Sequence, residues 1–315
     1  MRFRKRKIPV FIISGNHDNA RRLSFGNDIL KVANLYIITD LSKKIEIKKY
    51  GQVYHFYLIP YKSPMEIRHF TNDLSIKNHQ KAMEYTISQI NKKLDRTANN
   101  ILVCHCFVGN RASNKEVSIG NIELIDYNIF KNFDYVALGH LHKQHCVGRN
   151  EVCYSGSILK YGFSEVNHNK SINKITITNK NVKIEHLMLS PIRDFKIMKD
   201  TLENILKFGR EYFFEKGFYL QDYIHAVLLD EGDLINPIGQ LRNVFPNIMS
   251  LEQQTVENEI YNSELIKSEK SKTQLELFFD FYKKFGNNQL TEEKKSYIRE
   301  VINKVVQGGI DYETY

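Results

Sequence analysis

The sequence predicts an α/β fold, and three features predict it. Short β-branched and aromatic runs at Ile8 to Ser14, Ile101 to His105 and Tyr135 to Leu138 each stop at a glycine or a histidine, as buried strands do when they run into loops. A stretch with helical spacing of apolar residues, about His79 to Leu94, separates the first run from the second. Polarity and period both change at Pro191, after which helical and strand-like segments alternate again over a shorter span.

Taken in order, the strand ending at Ser14 is followed by a mixed helical stretch from about Asn19 to Ala33 and a strand near Leu35 to Ile38. Ile45 to Lys49 and Val53 to Ile59 flank Tyr50-Gly51-Gln52 as a hairpin, closed off by Pro60 and Pro64. Gly109 to Ser118 has too few apolar residues to be core and reads as a loop. Val152 to Ser155, Ile172 to Thr178 and Val182 to Leu187 complete a strand-rich middle. Beyond Pro191 the spacing predicts a helix over Ile197 to Lys207, a strand over Ala226 to Leu229, a helix over Ile235 to Val244 and a strand over Ile248 to Leu251. Two amphipathic stripes close the chain, Leu275 to Tyr282 and Tyr297 to Val305, the second preceded by Thr291 as N-cap with Glu292 and Glu293 in the first turn. The expected units are therefore residues 1–190, an α/β unit over 191–262, and terminal helices over 263–315.

Composition narrows the class. The 315 residues are 42% hydrophobic and 26% charged, enough for a sizeable core. Lys and Arg outnumber Asp and Glu by 45 to 36, a net charge of +9 that favours a polyanionic partner. The longest apolar runs, such as Val10 to Ile13, fall far short of the roughly 20 residues a membrane-spanning helix needs. The basic start, Met1 to Lys7, leads into a strand-like run without a small-residue cleavage site, so a cytoplasmic location is expected. In that setting Cys104, Cys106, Cys146 and Cys153, with no C-x-x-C pair, are expected to be reduced thiols.

Three histidine-bearing motifs follow three of the strands: Gly15-Asn16-His17-Asp18, then His105, then Gly139-His140-Leu141-His142. Imidazole nitrogens and an amide oxygen suit divalent manganese, iron or zinc, and strand ends can bring such donors together from distant parts of a chain. In this order the motifs resemble the second half of the signature of calcineurin-like metallophosphoesterases, from Ile8 to about Leu189. Tyr154-Ser155-Gly156-Ser157-Ile158-Leu159-Lys160-Tyr161-Gly162-Phe163-Ser164-Glu165 and Phe133 to His140 are similar to the SbcD branch. The small unit with Asn236-Pro237 and Phe245-Pro246-Asn247 resembles the capping domain of that branch.

The resemblance implies a sandwich of two mixed sheets flanked by helices, with the capping domain and C-terminal helices after it. It implies two divalent metal ions, Mn2+ by expectation, with Asn16, His105 and His140 on one and His142 on the other. His17 is then the general acid at the leaving oxygen and Asp18 its orienting partner. The implied activity is metal-dependent exonuclease and hairpin endonuclease action on duplex DNA. Its partner is the SbcC ATPase, whose coiled coils dock on the terminal helices, in a heterotetramer built on a homodimer. For the two stripes, packing within the chain is an equal alternative. Arg21, Arg22, Arg111 and Lys115 are candidate phosphate contacts, with plain solvated surface as the alternative for each.

Three further readings stand beside it. Cys104-His105-Cys106 and His145-Cys146 suggest a structural zinc site, though strand alternation turns Cys104 and Cys106 away from the side His105 faces. A phosphatase or small-molecule phosphodiesterase of the same superfamily would not need the tail. Finally, the family signature begins with a D-x-H and a G-D, while the fourteen residues before Gly15 contain neither aspartate nor histidine. The expectation is thus an N-terminally incomplete chain, from a mis-called start or a disrupted gene, with the second metal site incomplete and a sheet edge uncovered near Val10. A non-catalytic SbcC-binding module is the corresponding alternative function.

Overall fold

The computed structural model describes residues 6–110, 118–119, 122–216, 221–254, 275–276, 278–279, 282 and 291–306. The chain divides into two compact units, Met1–Lys196 and Ile197–Tyr315.

The first unit opens with β1 (Val10–Ile13), two short helices α1 (Ala20–Leu23) and α2 (Asn27–Lys31), and β2 (Leu35–Ile38), which pairs in parallel with β1. The single helical stretch expected over Asn19 to Ala33 is broken at Gly26, whose φ of 72° lies outside the helical region. The hairpin of β3 (Lys43–Lys49) and β4 (Gln52–Ile59) forms as expected, turning through Tyr50 and Gly51 at positive φ. Pro64 does not merely end it. It opens a helix, α3 (Pro64–Thr71), at the first-turn position where a missing N–H costs nothing, behind a Ser63/Glu66 capping box. Helix α4 (His79–Asn91) follows, then β5 (Asn99–His105) and the two-residue strands β6 (Val108–Gly109), β7 (Ser118–Ile119), β8 (Ile122–Glu123) and β9 (Ile125–Asp126).

After β10 (Tyr135–Gly139), β11 (His145–Val147) and β12 (Arg149–Tyr154), the order β11-β12-β10-β5-β4-β3 makes one six-stranded mixed sheet. One face, carrying Leu102, Cys104, Val136, Val152 and Tyr154, packs on Ile87 and Ile90 of α4 and on Phe130 and Phe133. The other, carrying Ile101, Tyr135 and Cys153, is covered by Ile175 and Ile184 of the antiparallel pair β13 (Ser171–Thr178) and β14 (Asn181–Met188). Phe11 of β1 meets Phe56 on that same face, ring centroids 5.1 Å apart. The second layer of the sandwich is therefore made in two pieces.

The cysteine expectation needs correction. β11 and β12 run antiparallel with Cys146 opposite Cys153, and the two form a disulfide. Seven residues of separation did not reveal this, because only the pairing register places one thiol over the other. Cys104 and Cys106 are free and buried, their sulfurs 3.7 Å apart on the side away from His105, as alternation requires. Their mutual hydrogen bond and burial push the Cys104 thiol well up, the reverse of a zinc-ligating thiolate.

In the second unit the expected helix at Ile197 is a strand at its start. β15 (Phe195–Asp200) joins β16 (Tyr223–Leu228) and β17 (Ile248–Gln253) in a three-stranded sheet, and helix α5 (Leu202–Lys216) begins after it. Leu202, Ile205 and Leu206 pack on Ile224, Ala226 and Leu228, with Leu241 of α6 (Pro237–Arg242) completing this core. The last described helix is α7 (Glu292–Val306), over the second predicted stripe. The first stripe, Leu275 to Tyr282, falls mostly outside the described residues. Among the described residues no helix is long and apolar enough to cross a membrane.

Candidate metal centre

Three strand ends converge on one imidazole. β5 terminates at His105, β1 runs into Gly15 to Asp18, and parallel pairing sets Gly139, the last residue of β10, opposite His105. The His105 ring fills the space between the two glycines. A Cβ on Gly15 would lie 2.7 Å from its Cε1, and one on Gly139 would lie 3.0 Å from its Nδ1. Both glycines are thus dictated by room for the ring.

The loop after β1 is fixed at each end. Buried Ser14 donates its N–H to the Ile38 carbonyl and accepts the Tyr61 N–H, while Asp18 Oδ2 accepts the Gly15 N–H at 2.7 Å. This presents Asn16 Oδ1 at 2.9 Å from His105 Nε2. His140 follows with its ring 5.4 Å from that of His105, and its Nε2 contacts the Ile119 carbonyl at 3.2 Å. Its φ of 119° is rare for a side-chain-bearing residue, a strain of about 1–3 kcal/mol that tends to be retained where function needs the geometry.

Burial first, and then the neighbouring His140, bring the His105 pKa down to about 4, with Asp18 pulling weakly the other way. Burial likewise lowers that of His140. At neutral pH His105 is a neutral imidazole, the form that binds metals. The donor set also fits in size. Two ligands each about 2.1 Å from one ion and at right angles to one another stand about 3 Å apart, which is the Asn16 Oδ1 to His105 Nε2 separation. Among the described residues no three His, Cys, Asp or Glu side chains close into a cage. What the fold assembles is one amide oxygen with two imidazoles.

His142 is held differently. Its half-exposed ring contacts Glu165 Oε1 through Nδ1 at 2.7 Å and lies edge-on to Tyr161, centroids 5.6 Å apart. Burial works to raise the Glu165 pKa, but hydrogen bonds from Lys170 and His142 outweigh it and the net shift is downward. His17 and Asp18 lie on the same loop as Asn16, and both bear electrostatically on His105. Arg21 and Arg22 sit exposed in the last turn of α1, whereas Arg111 and Lys115 lie outside the described residues.

Sequence reasoning missed several neighbours. Tyr61 places its ring 6.4 Å from His105 and its hydroxyl 3.4 Å from His79 Nε2, and Glu123 contacts the His79 ring and backbone. No local signal marks these residues, because α4 and β8 reach the site only through packing. Glu165 does stand in the Tyr154 to Glu165 stretch, but the stretch itself assigns it no task.

Residues 1–144 match the family model described as calcineurin-like phosphoesterase, and residues 191–285 match the one described as type 5 capsule protein repressor C-terminal domain, SbcD_C. The chain is 29% identical to the SbcD subunit of the nuclease SbcCD from Staphylococcus saprophyticus over 306 residues, 96% of this chain and 80% of the relative. It is 30% identical to the protein of the same name from Staphylococcus epidermidis over 305 residues, 95% and 79% of the two chains.

Proposed function

This chain belongs to the SbcD family within the calcineurin-like phosphoesterases, and on that premise we propose that it is the metal-dependent nuclease subunit of an SbcCD-type complex, hydrolysing phosphodiester bonds at duplex DNA ends and hairpins. The observation that carries the reading is the meeting of Asn16, His105 and His140 at three strand ends in a chain of this family. Divalent metal use comes with the family. The finer proposal is two ions, Mn2+ in kind.

Asn16, His105 and His140 would hold one ion, and His142 would contribute to the second. Such ions, when bound, supply electrostatic stabilisation of the charge that builds on the phosphoryl oxygens. The chain's own part is positioning and proton handling. His17 would donate a proton to the departing oxygen, with Asp18, whose carboxylate also accepts the Gly15 N–H, as its orienting partner. Arg21, Arg22, Arg111 and Lys115 would follow the phosphate backbone, in keeping with the net charge of +9. In this proposal residues 1–190 form the nuclease domain, 191–262 the capping domain and 263–315 the SbcC dock, in a cytoplasmic heterotetramer with two copies of each protein.

The test is cleavage of end-labelled linear duplex and hairpin DNA by the chain together with its ATPase partner. Mn2+-dependent cleavage, abolished by chelator and cut at least about a hundredfold in N16A and H140A, is expected. Cleavage that survives chelation, or variants as active as wild type, would refute the assignment.

A further inference from the structure

The stretch from Tyr154 to Glu165 carries much of the likeness to the family, yet it supplies no ligand to the ion that Asn16, His105 and His140 would hold. In the structure it grips the loop that bears His142. Gly156, at φ +79°, passes so close that a Cβ there would lie 2.8 Å from the His142 carbonyl oxygen and 2.9 Å from the Gln144 nitrogen. The next residue, Ser157, donates its N–H to the His142 carbonyl at 3.1 Å. Lys170, buried to 6% exposure, places Nζ 2.9 Å from that same carbonyl, 2.7 Å from Ser157 Oγ and 2.6 Å from Glu165 Oε2. All three of its N–H groups are thereby committed. The other carboxylate oxygen of Glu165 lies 2.7 Å from His142 Nδ1. One buried ion pair thus holds both the backbone and the ring of a single histidine.

A buried Lys–Glu pair seldom stabilises a fold over an apolar equivalent, because two charges must leave water. Its value here lies in direction. Lysine can only donate, so Glu165 must face it with oxygen. The remaining carboxylate oxygen can only accept, and the proton of the ring is fixed on Nδ1. We propose that Glu165, anchored by Lys170, is a positioning residue that locks His142 with Nδ1 protonated and leaves Nε2 as its ligating atom for a divalent cation. The inference rests on the metal reading of His142 given under the proposed function.

The near-isosteric E165Q is the sharpest probe. Its single oxygen must turn to the donor-only Lys170, so its NH2 group faces His142 Nδ1. That inverts the tautomer and caps Nε2 with the proton. The full chain, labelled with 15N-histidine and freed of metal, is followed by long-range 1H–15N spectra and then titrated with Zn2+, a diamagnetic ion, reading the coordination shift of the His142 Nε2 signal. Wild type should show Nδ1–H. E165Q should show Nε2–H, and K170M a mixture of the two. Both variants should need at least about tenfold more Zn2+ to shift His142 Nε2. Circular dichroism confirms folding, and K170M keeps the test open if E165Q does not fold. His142 remaining Nδ1–H in the folded variants, or an unchanged Zn2+ midpoint in them, would overturn the inference while leaving the metal reading intact. A tautomer that switches in E165Q while Zn2+ never shifts His142 Nε2 in wild type would overturn the metal reading, and with it the purpose assigned to the pair.

Discussion

Two tyrosines of the same core separate the worth of a hydrogen bond from the worth of a ring. Tyr154 is fully buried, its hydroxyl donating to the Cys106 carbonyl at 2.8 Å and accepting the Val108 N–H at 2.7 Å. It ties β12 to the turn that follows His105. Tyr57, 4% exposed in the same cluster, has a buried hydroxyl with no hydrogen-bond partner among the described residues. Y154F removes one oxygen and no carbon, so no sizeable cavity forms. It does leave a buried carbonyl and a buried N–H without their partner, each worth about 1–3 kcal/mol. With partial relaxation the expected loss is about 2–4 kcal/mol, or a fall of roughly 5–15 °C in the unfolding temperature. Y57F should be neutral or slightly stabilising, because it removes a polar atom already desolvated without compensation. Urea and thermal unfolding of the two variants side by side gives the comparison. If Y154F lies within about 0.5 kcal/mol of wild type, or Y57F costs as much as Y154F, the account of the Cys106–Val108 turn is wrong.

Other consequences are as direct. G15A should displace the His105 ring and weaken Mn2+ binding at Asn16 and His105, whereas G156A should cost about 1–3 kcal/mol of stability through its positive φ and its clash with the His142 carbonyl; calorimetric Mn2+ titration and urea midpoints read the two effects. His105, neutral in the fold down to about pH 4 but with an ordinary pKa of 6.5 when unfolded, takes up its proton first in the unfolded chain. Its contribution to stability is therefore full above pH 6.5 and declines as pH falls toward 4, and H105N should flatten the urea midpoint across that window. Reducing Cys146–Cys153, which closes an eight-residue loop, should lower stability by about 2.5 kcal/mol on the chain-entropy account. Alkylation under native, non-reducing conditions should label none of the four cysteines, and an unfolding temperature indifferent to reductant would refute the pairing.

Much of the site was readable because its residues obey local rules. A β-branched run ended by Gly-Asn-His-Asp or Gly-His-Leu-His states both a strand and its exit loop, so the ends of β1, β5 and β10 and the polar side chains they carry could be read from the chain alone. Helix α3 was equally legible in principle, since Ser63, Pro64 and Glu66 spell a capping box, but two prolines close together suggested only a stop. β15 was not legible: Phe195-Lys196-Ile197-Met198-Lys199-Asp200 is too short to separate a period of two from one of 3.6, and pairing beside β16 decided it.

By itself, then, the sequence determined where the strands of the first unit run into loops, the amphipathic helix that begins at His79, and the order of motifs that marks the family, because these depend on neighbours within a few positions. Tertiary structure alone decided that Gly15 and Gly139 enclose the His105 ring, that Cys146 meets Cys153, and that Glu165 and Lys170 take hold of His142. Each of those depends on strand register and loop path, and a shift of one residue in register would send every side chain of the strand to the opposite face.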